Sequence, residues 1–208
     1  MSFVTRTTIL IGACAVVTAA TSGCSGAAKS AAPADPTSGA ASPSASTDAC
    51  ANPQVSSATS PVSQLALTVS ALPPGGPPLE QISDGEMNNT VNSDQRGFAN
   101  VGNTYRIEDD VVLDPSAVTA TADYPQLRDA AQKQFTSLTS TSAPVHVGCE
   151  ADEFIGKTVT GYSQVGVAFQ EGDVIAVVLV VNSAAPVNPV FAKAVALAQD
   201  QRIVGATA

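Results

Sequence analysis

The 208-residue chain has no tryptophan, a single histidine, and nine lysines and arginines against eighteen aspartates and glutamates, for a formal charge of −9. Without tryptophan, and with six Phe and three Tyr, it lacks the aromatic platform on which sugars or unpaired bases stack. The shortage of basic residues excludes a nucleic-acid binder, because displacing counterions from phosphates takes clustered Lys and Arg, and here they are scattered from Arg6 to Arg202. For the same reason an acidic body has no electrostatic attraction to anionic headgroups, so attachment to a membrane requires a lipid or an apolar segment.

Recognisable catalytic and cofactor motifs are lacking too. His146 stands between Val145 and Val147 with no partner indicated, so it reads as a structural or surface residue rather than a general base. Gly161-Tyr162-Ser163-Gln164-Val165-Gly166 has its second glycine one residue too late for a nucleophile elbow and enters a strand where the elbow leaves one. Gly156-Lys157-Thr158 ends like a phosphate-binding loop, but Ala151 stands where the first glycine is needed. Two acidic groups, Glu108-Asp109-Asp110 with Asp114 and Glu150, Asp152 and Glu153, depart from the twelve-residue calcium loop and read as solvated faces. A carboxylate pair for glycoside cleavage leaves no linear spacing, and the low aromatic count speaks against a sugar cleft. No catalytic residue, metal or cofactor is therefore assigned.

The longest apolar run near the start, Thr8 to Ala20, is too short for a comfortable membrane span and follows Arg6, as in a signal peptide. Thr21-Ser22-Gly23-Cys24 then resembles the lipobox of bacterial lipoproteins, in which the signal is cut before a cysteine that receives a diacylglyceryl group. It departs from that pattern at Thr21, where leucine is usual. The alternatives are an uncleaved anchor, or a secreted protein cut near Ala20 with Cys24 incidental. Residues Ser25 to Asp48 are almost wholly Ala, Ser, Pro, Thr and Gly, which cannot bury enough apolar surface to offset ordering entropy. They are expected to form a tether spanning about 28 Å as a coil and able to carry O-glycans. The division is then 1–23 signal peptide, 24–49 lipidated cysteine and tether, and 50–208 a single globular domain.

Of four cysteines, Cys14 falls in the signal and Cys24 would be acylated, leaving Cys50 and Cys149 in the domain. Outside the reducing cytoplasm these two are expected to pair, pinning the start of the domain to its body; two separate buried thiols are the alternative.

In the domain, Val62, Leu65, Val69 and Leu72 share one face of a helix, with Ser60 as cap and Pro61 in its first turn, ended by Leu72-Pro73-Pro74. Residues 80–103 predict an irregular stretch or a short strand near Phe98. Thr104 to Leu113 predicts a strand with Glu108-Asp109-Asp110 mid-strand or at a bulge. Asp114-Pro115 opens a helix carrying Ala117, Ala120, Tyr124, Leu127, Ala131 and Leu138, kinked at Pro125 or divided near Asp123. Pro144 to Gly148 predicts a short strand, Glu150 to Gly156 a polar connection, and Gly161 to Phe169 with Val174 to Val181 a hairpin turning at Gln170-Glu171-Gly172-Asp173. Asn188-Pro189 opens a last helix ending before Arg202. The expected class is α+β, a mostly antiparallel sheet with two or three helices packed on one face.

The lipobox and tether, together with Leu72-Pro73-Pro74-Gly75, the Ala117 to Phe135 segment, Phe154-Ile155-Gly156 and the Phe169 to Val181 hairpin, are similar to actinobacterial cell-envelope lipoproteins and their small domains. The resemblance implies a membrane-anchored extracytoplasmic protein and a noncatalytic binding or sensor-like module, and it brings no catalytic residue. The partner would be an envelope protein, a lipid or a cell-wall ligand. Alternatives are an envelope hydrolase, recognised by a cleft joining His146 to a carboxylate and a hydroxyl, and a lipid carrier, recognised by an enclosed apolar cavity.

Overall fold

The strand Val174–Asn182 (β7) is buried along both of its faces, and the rest of the domain is arranged to cover it. The computed structural model describes residues 61–86, 92–142 and 146–207. Within them the order is α1 (Val62–Leu65), a 3-10 turn (Val69–Ala71), β1 (Glu80–Gly85), β2 (Ser93–Ala99), β3 (Tyr105–Leu113), α2 (Ala117–Gln132), β4 (Ser137–Ser142), β5 (Glu150–Lys157), β6 (Ser163–Glu171), β7 and α3 (Pro189–Thr207). The strands form one seven-stranded sheet in the order β1-β2-β3-β7-β6-β5-β4, antiparallel at every pairing. Two meanders, β1 to β3 and β4 to β7, thus meet where β3 pairs with β7, and α2 carries the chain from one to the other. The α+β class with an antiparallel sheet is as expected.

Both faces of the sheet are covered, because alternate residues of β7 and β6 feed separate cores. Val174, Ala176, Val178 and Val180 join Val165, Val167, Phe169, Phe98, Ile107 and Val111 beneath Phe191, Val195 and Ile203 of α3 and Leu65 of α1. Ile175, Val177 and Leu179 join Ala168, Phe154 and Phe135 beneath Ala120, Tyr124 and Ala131 of α2. Two of the three helices share a face, as expected, but α2 lies on the other. The sheet is the middle of three layers, since a strand apolar on both sides needs two covers.

Local signals explain most boundaries. The β6–β7 hairpin turns through Gly172 and Asp173, with Gly172 at φ +59° in the first central position, where glycine meets no steric cost. Ser116, not Asp114, caps α2: its Oγ accepts the Thr119 N–H at 3.2 Å. The helix continues through Pro125 as one element, neither divided at Asp123 nor extended to Leu138, which lies in β4. Buried Ala120 and Tyr124 before the proline and Ala131 after it hold the two halves against one surface. Asn188 Oδ1 accepts the Val190 N–H at 3.0 Å at the start of α3, which continues past Arg202 to Thr207.

Other expectations are corrected. β1 and most of β2 fall in the stretch read as irregular, and the Glu150 to Gly156 connection is β5. For β3 the mid-strand alternative holds over the bulge: its acidic residues sit within an unbroken ladder to β2 and β7. The helix expected over Val62 to Leu72 breaks at Ala66, which is extended at φ −67°, ψ 152°, and Pro61 is its N-cap residue. Ser60 lies outside the described residues, as do Pro144 and Val145 of the strand expected over Pro144 to Gly148, and its remaining residues, His146 to Gly148, form bends with Cys149 instead of a strand. Cys24, Cys50 and the 1–49 segment also lie outside them. Among the described residues no helix is long and apolar enough to cross a membrane.

Candidate functional site

The most concentrated chemistry in the domain is a group of charges under the segment from α1 to the 3-10 turn. Asp94 and Arg96 on β2 and Asp109 on β3 point to the α3 side of the sheet, since Arg96 is paired with Asp109 in register and Phe98 and Ile107 flank them in the same core. Arg96 Nη1 donates to the carbonyls of Leu67 at 2.7 Å and Ala66 at 3.4 Å, and its Nη2 to the carbonyl of Ser63. Asp109 Oδ2 accepts the Leu67 N–H at 2.7 Å. From α3, Gln199 Nε2 donates to the Leu65 carbonyl at 2.7 Å and Arg202 Nη2 to that of Gln64 at 2.6 Å.

These contacts explain why the helix stops at Ala66. The carbonyls at the end of a helix have no partner within it, and a guanidinium with five donors takes that of Ser63 together with those of Ala66 and Leu67 just past the helix end. The expected i, i+3, i+4 stripe is not kept: Leu65, Ala66 and Leu67 are buried in succession while Val69 is 44% exposed, because side chains from the sheet replace the next helical turn. Residues 61–72 are therefore a strap seated on the sheet by polar groups in an apolar surround.

The electrostatics follow from burial. Asp109 is fully buried, and desolvation pushes its carboxyl up to about 7 despite the Leu67 N–H and Arg96. Desolvation also raises Asp94, against the attraction of Arg96, whose Nη2 lies 3.3 Å from it. Asp84 from β1 approaches Arg96 at 3.6 Å but is more than half exposed.

The two acidic groups of the sequence are not assembled into sites. Strand alternation sends Asp109 to the α3 side and Asp110 to the α2 side, where Gln95 Nε2 donates to it at 2.7 Å and burial pushes it up to about 7. Asp114 lies past the strand end, raised by desolvation and then by Asp123 and Asp173 to about 6. Likewise Asp152 faces α2, accepting the Tyr124 hydroxyl at 3.0 Å, while buried Glu153 faces α3 and meets Lys193 Nζ at 3.2 Å. Among the described residues no three His, Cys, Asp or Glu side chains are grouped to hold a metal ion.

The remaining candidates are apart from one another. His146 is exposed in the bend before Cys149. Ser163 opens β6 at the opposite end of the sheet, and its Oγ accepts the Val187 N–H at 2.9 Å, a loop-fixing role. Lys157-Thr158 ends β5, with the Thr158 N–H bonded to the Tyr162 carbonyl in a turn and no helix start beside it to receive a phosphate. Cys149 Sγ lies 3.1 Å from the Gln170 carbonyl, beside the β6–β7 hairpin. A wide, open depression of about 470 Å³ is bordered by Gln64 of the strap and Arg202, Gly205 and Ala206 of α3.

Sequence reasoning missed Arg96 and Gln199, which had no motif around them. The available signal was an arginine two residues from Phe98 in what is now β2, because alternation places both on one face. Comparison with protein families, with curated proteins and with solved structures gives no match.

Two outcomes are expected. Arg96→Ala strands three carbonyls and two carboxylates, so it should cost about 3–5 kcal/mol in urea unfolding, with faster hydrogen exchange at Leu67. A loss under about 1 kcal/mol would show that the strap does not depend on it. Secondly, carboxyls raised in the fold bind more protons than in the unfolded chain, so stability is fullest below about pH 4 and declines as pH rises through about 6 to 7. The melting temperature should be higher at pH 5 than at pH 8, and Asp109→Asn should flatten the difference by raising the pH 8 value; a higher melting temperature at pH 8 in the native protein refutes this.

Proposed function

We propose that the chain is an exported lipoprotein, held on the extracytoplasmic face of the cell membrane through an acylated Cys24, whose domain is a noncatalytic binding or sensor-like module of the cell envelope. The observation that carries the proposal is the succession of Arg6, the short apolar run, Thr21 to Cys24 and the Ala/Ser/Pro/Thr segment. A thioether-linked glyceride explains how an acidic body stays at a membrane that repels it.

The noncatalytic part of the reading draws on how the domain spends its polar interior. Arg96, Asp109, Gln199 and Gln170 each bond to backbone groups of neighbouring segments, with Gln170 Nε2 reaching the Gly172 carbonyl at 2.8 Å and Thr121 Oγ1 at 3.1 Å. Such groups shape the body and leave recognition to its surface. The Cys50 to Cys149 disulfide belongs to the same proposal: it closes a loop of about 100 residues and would stabilise by up to about 4.7 kcal/mol in the chain-entropy estimate.

Mass spectrometry of the membrane fraction is expected to find a diacylated N-terminus at Cys24, and Cys24→Ala to leave the precursor uncut or release the protein. Unchanged processing and retention in that variant would refute acylation. Peptide mapping without reductant should recover Cys50 joined to Cys149, and two thiols open to alkylation in the folded protein would dispose of the bridge.

A further inference from the structure

Helix α3 is apolar on the side that packs under the sheet and again on the side that faces away from it. Phe191, Ala192, Val195, Ala196 and Ile203 are buried, yet Val190, Leu197 and Val204 on the outer side are 74%, 42% and 46% exposed. Residues seven apart on a helix drift by only about 20°, so these three form one stripe, continued by Ala194 and Gln201. No charge lies on it. A Cβ placed on Gly205 beside it would meet nothing within 4 Å.

The stripe is symmetric about Leu197, with a valine seven residues before it and another seven after. A second α3 laid antiparallel across a twofold axis at Leu197 sets Val190 against the other copy's Val204, twice, with Leu197 on Leu197. Lys193 and Asp200 occupy one flank of the stripe, near-equidistant from Leu197 on either side. In an antiparallel pair equal flanks meet, so each Lys193 comes opposite the other copy's Asp200. Charge complementarity singles out this partner: a chain of −9 repels its own copies over most of its surface, but here the flanking charges cancel.

We propose that the outer face of α3 is a self-association surface through which two copies form an isologous antiparallel pair. Nineteen helical residues extend about 28 Å, and one such face covers on the order of 500 Å² per copy, below the roughly 800 Å² of a standard stable interface. The dimer is accordingly weak, with a dissociation constant on the order of 10–100 μM. Lys193 keeps its contact with buried Glu153 in the pair, having three protons to share. Gly148 likewise continues to donate its backbone N–H to Asp200.

The test is sedimentation of the purified full chain, in excess nonionic detergent micelles, over about 5–500 μM. Native protein should pass from monomer to dimer across that range. Leu197→Glu, at the twofold axis, should remain monomeric with an unchanged thermal midpoint in dilute solution, whereas Val118→Glu, on the exposed side of α2, should dimerise like the native chain. Leu197→Cys should give a 197-to-197 bridge on mild oxidation, identified by peptide mapping, with no such bridge from Val118→Cys. Native protein that stays monomeric throughout, including any in which the stripe takes up detergent instead, overturns the proposal. So does undiminished dimerisation of Leu197→Glu, or a missing 197-to-197 bridge.

Discussion

A strand that is apolar on both faces has to be covered twice, and β7 sets that requirement for the whole domain. Its nine residues run Val-Ile-Ala-Val-Val-Leu-Val-Val-Asn, with seven of them buried. At about 1.5 kcal/mol or more for each buried valine, leaving either face open would forgo several kcal/mol, comparable with the net stability of a small domain. The topology answers this. Placing β7 at the centre, paired with β3 and β6, protects its backbone, and sending α2 and α3 to opposite sides protects its side chains. Neither helix is strongly amphipathic; each is placed by the face of the sheet it closes.

Having two faces to cover also determines where charge is tolerated. On β3, Ile107 and Val111 fall on the α3 side, and alternation puts Asp109 between them in the same core. A carboxylate there is costly unless it is paired and hydrogen-bonded. The strap resolves the cost by bringing backbone groups that need partners of their own: an amide for Asp109 and carbonyls for Arg96. Each side supplies what the other lacks, which is why the strap breaks its helix at Ala66 instead of continuing the hydrophobic stripe. The arrangement is specific more than it is stabilising, since a buried charge network rarely outperforms an apolar one of equal volume.

What was legible in the sequence tracks how local the deciding physics is. The β6–β7 hairpin, the strand at 104–113 and the opening of α3 rest on periodicity, turn glycine and capping residues within a few positions, and they read correctly; at α2 the cap was placed two residues early, on Asp114 instead of Ser116. β5 did not, because Glu150, Asp152 and Glu153 look like a solvated run until Tyr124 and Lys193, distant in sequence, supply partners. β1 was missed because it is an edge strand exposed along its length, with no apolar alternation to detect. The helix break at Ala66 was invisible for the same reason as the strap site: it is imposed by Arg96 from 29 residues away. The expectation of two or three helices on one face holds for α1 and α3, while the double-sided apolarity of β7 also requires α2 to cover its second side.

The strap also has a mechanical meaning under the lipoprotein reading. If Cys24 is anchored as proposed, tension that reaches the strap would be met at a short helix whose own and following carbonyls are held by Arg96 from β2 and by Gln199 and Arg202 from α3. Hydrogen bonds from two separate elements share such a pull better than a strand at the sheet edge, which would unzip one bond at a time. A Cys50 to Cys149 bridge would intercept the load earlier still, passing it to the backbone of Gln170 beside the β6–β7 hairpin, where Cys149 N–H donates to the Gln170 carbonyl at 2.9 Å. The strap would then be relieved of force and left to do what its geometry favours, which is to close the α3 side of the core.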